Sequence, residues 1–230
     1  MKLILRMAAV VALVAGMGTA ALRAVPSAAQ KFTPPAVTGA GDIPFPPTSM
    51  AVGAVSLLLT LDGSGQVQNT QVLRDYPSLT GVVQTAVQGW QFAPASLGGT
   101  HVPANISATV IFNPYNPGGT SFASLALPPP NFTPTSAPGG PGFIPPQILS
   151  ASFAQYPANS VGFGTVVLDV RVEATGQIGK VRVVRKVASL TTPAINAVQT
   201  WAFNPATLHG QPVPADLVIG FVFGRNSGQP

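Results

Sequence analysis

The chain has no cysteine, two histidines and only six acidic residues among 230. The missing thiols exclude disulfides, thiolate zinc sites and cysteine nucleophiles. Charged residues make up 7% of the chain, against about 25% in ordinary globular domains. So few carboxylates leave little material for paired acid–base chemistry. His101 and His209 fall in polar loops and do not occupy equivalent repeat positions, so both read as solvated loop residues. Asp62 and Glu173 stand beside turn residues and read as turn solvation. There is no phosphate-cradling loop: Gly162-Phe163-Gly164 precedes a strand, whereas a dinucleotide fingerprint follows one. No catalytic, metal or cofactor constellation emerges, and the expectation is a protein that is not an enzyme.

What the chain does have is 46% hydrophobic residues, 24 glycines and 25 prolines. That is too apolar for disorder and too rich in turn formers for one regular bundle. Compact pieces joined by Pro/Gly segments are expected.

Lys2 and Arg6 precede an uncharged, mostly apolar run from Met7 to Leu22, and Ser27-Ala28-Ala29 supplies small residues at a peptidase site. This is the layout of a cleaved signal peptide over 1–29, with Ala20 as the alternative cleavage point. An uncleaved inner-membrane anchor facing the periplasm is the rival reading; a spanning helix needs about 20 apolar residues, and this run is shorter. Without Lys2, Arg6 and Arg23 the formal charge of +5 falls to +2. So small an excess implies no nucleic-acid partner.

Self-similarity is the strongest signal. Trp90-Gln91-Phe92-Ala93-Pro94-Ala95 reappears as Trp201-Ala202-Phe203-Asn204-Pro205-Ala206, at an offset of 111 residues. The same offset carries Ser78-Leu79-Thr80 onto Ser189-Leu190-Thr191, Ala86-Val87-Gln88 onto Ala197-Val198-Gln199, Val102-Pro103-Ala104 onto Val213-Pro214-Ala215, and Phe45-Pro46 onto Tyr156-Pro157. Two modules follow, 32–113 and 143–225, with a Pro/Gly-rich stretch at 114–142 that reads as a solvated tether.

Within the second module, Thr165 to Val172 alternates with a period of two, which predicts a half-buried strand. A turn at Ala174–Gln177 and a β-branched run from Ile178 to Val187 complete a hairpin. Thr192-Pro193 reads as a helix start. Ala194, Ala197, Val198 and Trp201 then recur on one helical face, and Leu217–Phe223 forms a last strand. In the first module Thr80 is the cap, Trp90 closes the face, and Ile106 to Phe112 is the last strand. The fold class is therefore α+β: two β-β-α-β modules, each a small antiparallel three-stranded sheet with one helix packed across it. Both tryptophans are expected as core anchors.

Tyr156-Pro157, Gly164 to Val170, Gly176-Gln177-Ile178, Ala194 to Trp201, Phe203-Asn204-Pro205-Ala206 and Gly210-Gln211-Pro212-Val213 together resemble the TonB C-terminal domain. The first module keeps the Trp-x-Phe-x-Pro-Ala and Val-Pro-Ala pieces, so the pair resembles a tandem of such domains. The resemblance implies a periplasmic or cell-envelope location, a role in transmembrane transport, and an N-terminal peptide of an outer-membrane transporter added to the domain's sheet as a strand. Energy transduction would need a retained anchor and a long charged spacer. The run Met7–Leu22 contains no histidine and no acidic residue, and no such spacer precedes the first module.

The expected docking edge is Leu217, Val218, Ile219, Gly220, Phe221, Val222 and Phe223, an uncharged run that invites pairing with another chain. Strand alternation puts Lys180, Arg182 and Lys186 on one face, with Arg185 opposite. That basic face is either a solvated sheet surface or a patch for an acidic segment or anionic head groups. Two function classes stand: an envelope protein that binds a partner by strand addition, and a structural protein whose modules pack on each other. Self-association through sheet edges is a third outcome. Mutually paired third strands that leave no free edge would mark the structural class.

Overall fold

A computed structural model describes residues 31–46, 51–113 and 124–224. The signal-peptide and cleavage expectations lie outside the described residues, as do 114–123 of the expected tether. Among the described residues no helix is long and apolar enough to cross a membrane.

The first half runs β1 (Phe32–Thr33), β2 (Ala36–Gly39), β3 (Gly53–Leu61), β4 (Val67–Arg74), α1 (Pro77–Val87), β5 (Gln91–Ala93), β6 (Ala95–Leu97), β7 (Thr100–Val102) and β8 (Ala104–Asn113). After β9 (Ser124–Leu125) the order recurs as β10 (Phe143–Ile144), β11 (Gln147–Ser152), β12 (Gly164–Val172), β13 (Ile178–Arg185), α2 (Thr191–Val198), β14 (Ala202–Asn204), β15 (Ala206–Leu208), β16 (Gln211–Val213) and β17 (Ala215–Phe223). Most elements of the second half begin 111 residues after a counterpart in the first.

The architecture is α+β, but the two expected three-stranded sheets are one. Six strands lie in the order β13-β12-β17-β8-β3-β4. Each half supplies an antiparallel triplet, and the halves join where β17 runs parallel to β8 from Val218↔Ala108 to Phe223↔Asn113. The residues from Lys31 onward form one compact unit. The cause is in the sequence: both last strands are long and carry no charge over the residues that pair, 108–113 and 218–223, and each leaves one edge open beside its own triplet.

The helices pack on opposite faces. α2 covers Val166, Leu168, Val170, Val172 and Leu217, Ile219, Phe221, Phe223. α1 covers Val55, Leu57, Leu59, Leu61 and Ile106, Ala108, Val110, Phe112, and that core continues onto Val167, Val218 and Val222 of the second half. Central strands buried on both faces explain why β3, β8, β12 and β17 are buried at nearly every position. The half-buried strand expected at Thr165–Val172 is therefore buried on both sides.

The second covering layer comes from arms that sequence alternation does not announce. β2 pairs with β5 of its own half, then residues up to Ile43 cross the second half's sheet. β11 pairs with β14 of its own half, and its continuation crosses to the first. On each arm one side chain of the other half makes a reciprocal pair of hydrogen bonds with a single backbone residue. The Ile43 N–H donates to Thr165 Oγ1 at 2.8 Å, and that hydroxyl donates to the Ile43 carbonyl at 3.2 Å. The Ala154 N–H donates to Asn113 Oδ1 at 2.9 Å, and Asn113 Nδ2 donates to the Ala154 carbonyl at 2.7 Å. Each arm then returns home: Phe45 meets Phe112 edge-on at 5.5 Å, and Tyr156 meets Phe223 edge-on at 5.8 Å.

Two local expectations change. Trp90 and Trp201 lie just beyond the helix ends rather than on them, yet both are buried, and Trp201 Nε1 donates to Ser152 Oγ at 3.2 Å. Thr80 and Thr191 act inside the first helical turn: their hydroxyls accept the N–H groups of Tyr76 and Val187, each at 3.0 Å. The turn glycines are as expected and also sterically required. Gly176 has φ 83°, and a Cβ there would meet the Phe203 carbonyl oxygen at 2.7 Å, a closer approach than a side chain allows.

The described part of the tether is docked rather than solvated. Leu125 and Ala137 are buried. Asn105 Nδ2 donates to the Thr135 carbonyl at 2.8 Å, and Arg74 donates to the Pro128 carbonyl. On the same face of β8 as Asn105, Ser107 Oγ accepts from Gln147 Nε2 of the arm that follows, at 3.0 Å.

Candidate functional site

The strand expected to receive a partner is already filled on both sides. β17 pairs antiparallel with β12 from Gly164↔Phe223 to Val172↔Ala215, and parallel with β8. Leu217, Ile219, Phe221 and Phe223 face α2, as expected. Val218 and Val222, however, are buried in the core of α1. Gly220 lies between Val167 and Val110, and a Cβ there would sit 3.3 Å from a Val110 methyl. The edge that the sequence marks as inviting a strand has taken one from the same chain.

The open edges of the sheet are β4 and β13. At β4 the chain supplies its own cover. The Asn131 N–H donates to the Leu73 carbonyl at 2.7 Å and Asn131 Nδ2 to the Val72 carbonyl at 3.0 Å. The corresponding groups on β13 are the carbonyls of Val184 and Val183. Among the described residues no strand or segment pairs with that side of β13, and Val183 is 38% exposed.

The basic residues sit on and beside this edge, in a different arrangement from simple alternation. The pairing shifts register between Val167↔Arg185 and Leu168↔Val183. This bulge brings Arg185 to the same side as Arg182. Arg182 donates to the Val37 carbonyl and to Asp169 Oδ2, the latter at 2.7 Å. Arg185 donates to the Thr165 carbonyl at 3.1 Å and pairs with Asp42 at 3.3 Å. Both arginines therefore clamp the first arm onto the second half's sheet. Lys180 and Lys186 are exposed and form no ion pair among the described residues.

Asp169 lies on the face of β12 opposite Leu168 and Val170, and the arm over it changes its chemistry. It is 6% exposed, and its Oδ1 has no hydrogen-bond partner among the described residues. Desolvation, reinforced by the nearby Asp216 charge, pushes its pKa up to about 6 and outweighs the hydrogen bond and charge of Arg182. Asp216 itself pairs with Arg171 at 3.3 Å. A cleft of about 280 Å³ lies among Ala36, Asp169, Arg171, Lys180, Arg182 and Asp216.

A second cleft, of about 780 Å³, opens on the α2 side of β13, between that strand and the helix end. Ile178, Val181, Ile195, Gln199, Trp201 and Phe203 line it. The residue types gave no warning of it, because it is made by a gap between elements.

The histidines remain apart, His101 in β7 and His209 in the turn between β15 and β16 at φ 51°. Among the described residues no three His, Cys, Asp or Glu side chains are grouped to hold a metal ion. Asp62 serves its turn: Oδ1 accepts from the Ser64 N–H and hydroxyl and from the Gln66 N–H.

No curated protein and no solved structure matches the chain. Residues 156–224 match the family model described as the Gram-negative bacterial TonB protein C-terminal. That span begins beyond β11 and takes in β12, β13, α2 and β14–β17, so the second half contains a TonB C-terminal-like domain.

Proposed function

We propose that this is an exported, non-enzymatic envelope protein made of two TonB C-terminal-like domains paired through their last strands, and that it engages an envelope partner by strand addition at β13. The family match supports the second domain, and the recurrence of elements at an offset of 111 residues supports a twin in the first half. The observation that carries the reading is the contrast between edges: β17 is occupied, β4 is covered by Asn131, and β13 is open. A partner strand would gain its affinity from main-chain hydrogen bonds. In this reading the partner is an outer-membrane transporter's N-terminal peptide or another extended envelope segment.

A photo-crosslinking residue placed at position 183 of the full chain tests this in cells. The reading expects adducts with an outer-membrane transporter or another envelope protein. Its absence alongside adducts from a residue on β17 would overturn the choice of edge.

The second reading is structural, with no partner. The β8–β17 pairing favours it, because that contact occupies the edges of both last strands within one molecule. Energy transduction is subordinate to both and requires a retained anchor. The intact mass of the exported protein separates these cases: a chain beginning at Gln30 fits the present reading, and a full-length mass in the inner membrane restores the transducer.

A further inference from the structure

We propose that the open edge of β13 selects an extended segment in which apolar and acidic residues alternate. This rests on the strand-addition reading above and deepens it. A strand added to an edge sends successive side chains to opposite faces of the sheet. At β13 those faces differ sharply. On the α2 side lies the cleft lined by Ile178, Val181, Ile195, Trp201 and Phe203, where Ile178, Val181 and Ile195 extend the α2-side core. On the opposite side stand Lys180, exposed and without an ion pair among the described residues, and Arg182, paired with Asp169, beside the cleft that also contains the Arg171–Asp216 pair. A pairing segment would therefore place one set of side chains over apolar surface and the alternate set beside cations.

The first half shows why this site belongs to the second. There the matching cleft is bridged by Gln88 Nε2 donating to Thr70 Oγ1 at 3.0 Å, and the edge carbonyls of Val72 and Leu73 are taken by Asn131. In the second half the matching pair is Gln199 and Val181, which cannot form that bridge, and the cleft stands open. Lys180 and Arg182 replace Asn69 and Gln71. The Asn131 contact also shows that the Val72 backbone points outward, and Val183, its counterpart, presents N–H and carbonyl in the same direction.

Charge argues against a second copy as the occupant. Two β13 strands paired antiparallel would set Lys180 and Arg182 of one against those of the other, which disfavours the pairing.

The test uses the full chain and three capped eight-residue peptides, alternating Val/Glu, Val/Lys and Ser/Glu, with binding read by titration and by amide shifts in NMR. The expected result is binding of Val/Glu, with shifts confined to 178–185 and the cleft, weakening with salt. Val/Lys and Ser/Glu are expected to bind about tenfold more weakly or worse, the sum of several cross-strand pairs. Val183→Pro removes an outward donor and should abolish binding. If that variant does not fold, Lys180→Glu decides, because it should shift preference from Val/Glu toward Val/Lys. Equal binding of all three peptides at β13 would overturn the alternation while leaving strand addition intact. No shift at β13 with any peptide would overturn both. A concentration-dependent dimer with shifts at β13 would overturn the proposal in favour of self-pairing.

Discussion

Asp169 is the residue whose placement departs furthest from its surroundings in sequence. Its folded pKa of about 6 lies above the ordinary 3.8. The folded state therefore binds the proton more tightly, so this group adds stability at low pH that is lost as pH rises from about 4 through about 6. Asp169→Asn should raise thermal stability at pH 7, by on the order of 1–2 kcal/mol given the solvent that reaches Arg182, and should flatten the melting temperature across that window. A wild-type melting temperature that instead climbs steadily from pH 4 to 7, with no gain from Asp169→Asn, would contradict the assignment. Trp201 makes the second residue-scale prediction. It packs on Phe203 and Phe221 with ring centroids 6.4 and 5.6 Å away, and truncating a buried Trp typically costs about 3–5 kcal/mol. Trp201→Ala should lower stability by that amount, and calorimetry should still show one transition, since both halves share a sheet.

At the scale of elements, the strands and helices were legible because their periods are local. The hairpin around Gly176, the helix that carries Ala194, Ala197 and Val198, and the long last strands all follow from residue patterning. The arms were not legible. Ala36–Gly39 and Gln147–Ser152 carry no strong alternation and pair within their own halves, while the segments that continue them are pinned in the opposite half by Thr165 and Asn113. The basic cluster was found but its geometry was misread, because a bulge at Val184 and Arg185 breaks the period of two that the sequence argument assumed. Asn131 holds the edge of β4 through two hydrogen bonds. Asn131→Ala should cost about 1 kcal/mol and speed amide exchange at the outer side of β4, with little change at β3; equal speeding of both strands would argue against a local cover. Gly220→Pro, placed on a supposed edge, would have been a mild change; in a central strand it removes a ladder bond and should prevent folding.

At the scale of the whole, the described residues form two similar halves that share one six-stranded sheet. Phe32 and Phe143, equivalents across the repeat, meet with ring centroids 4.9 Å apart, and the equivalent pairs Ala95 and Ala206, Ala104 and Ala215 share one small core with Phe143. A single module of this size has a modest core, and pairing lets each half cover the other's outer face with an arm. The sequence showed two uncharged edges able to pair; that they would find each other is a property of the tertiary arrangement, which no single strand encodes. The most direct test of this account is hydrogen exchange along β17. With both sides bonded, successive amides from Leu217 to Val222 should all be protected to the level of global unfolding. Alternating fast and slow amides along that strand, the signature of an open edge, would contradict the joined sheet and return β17 to the surface.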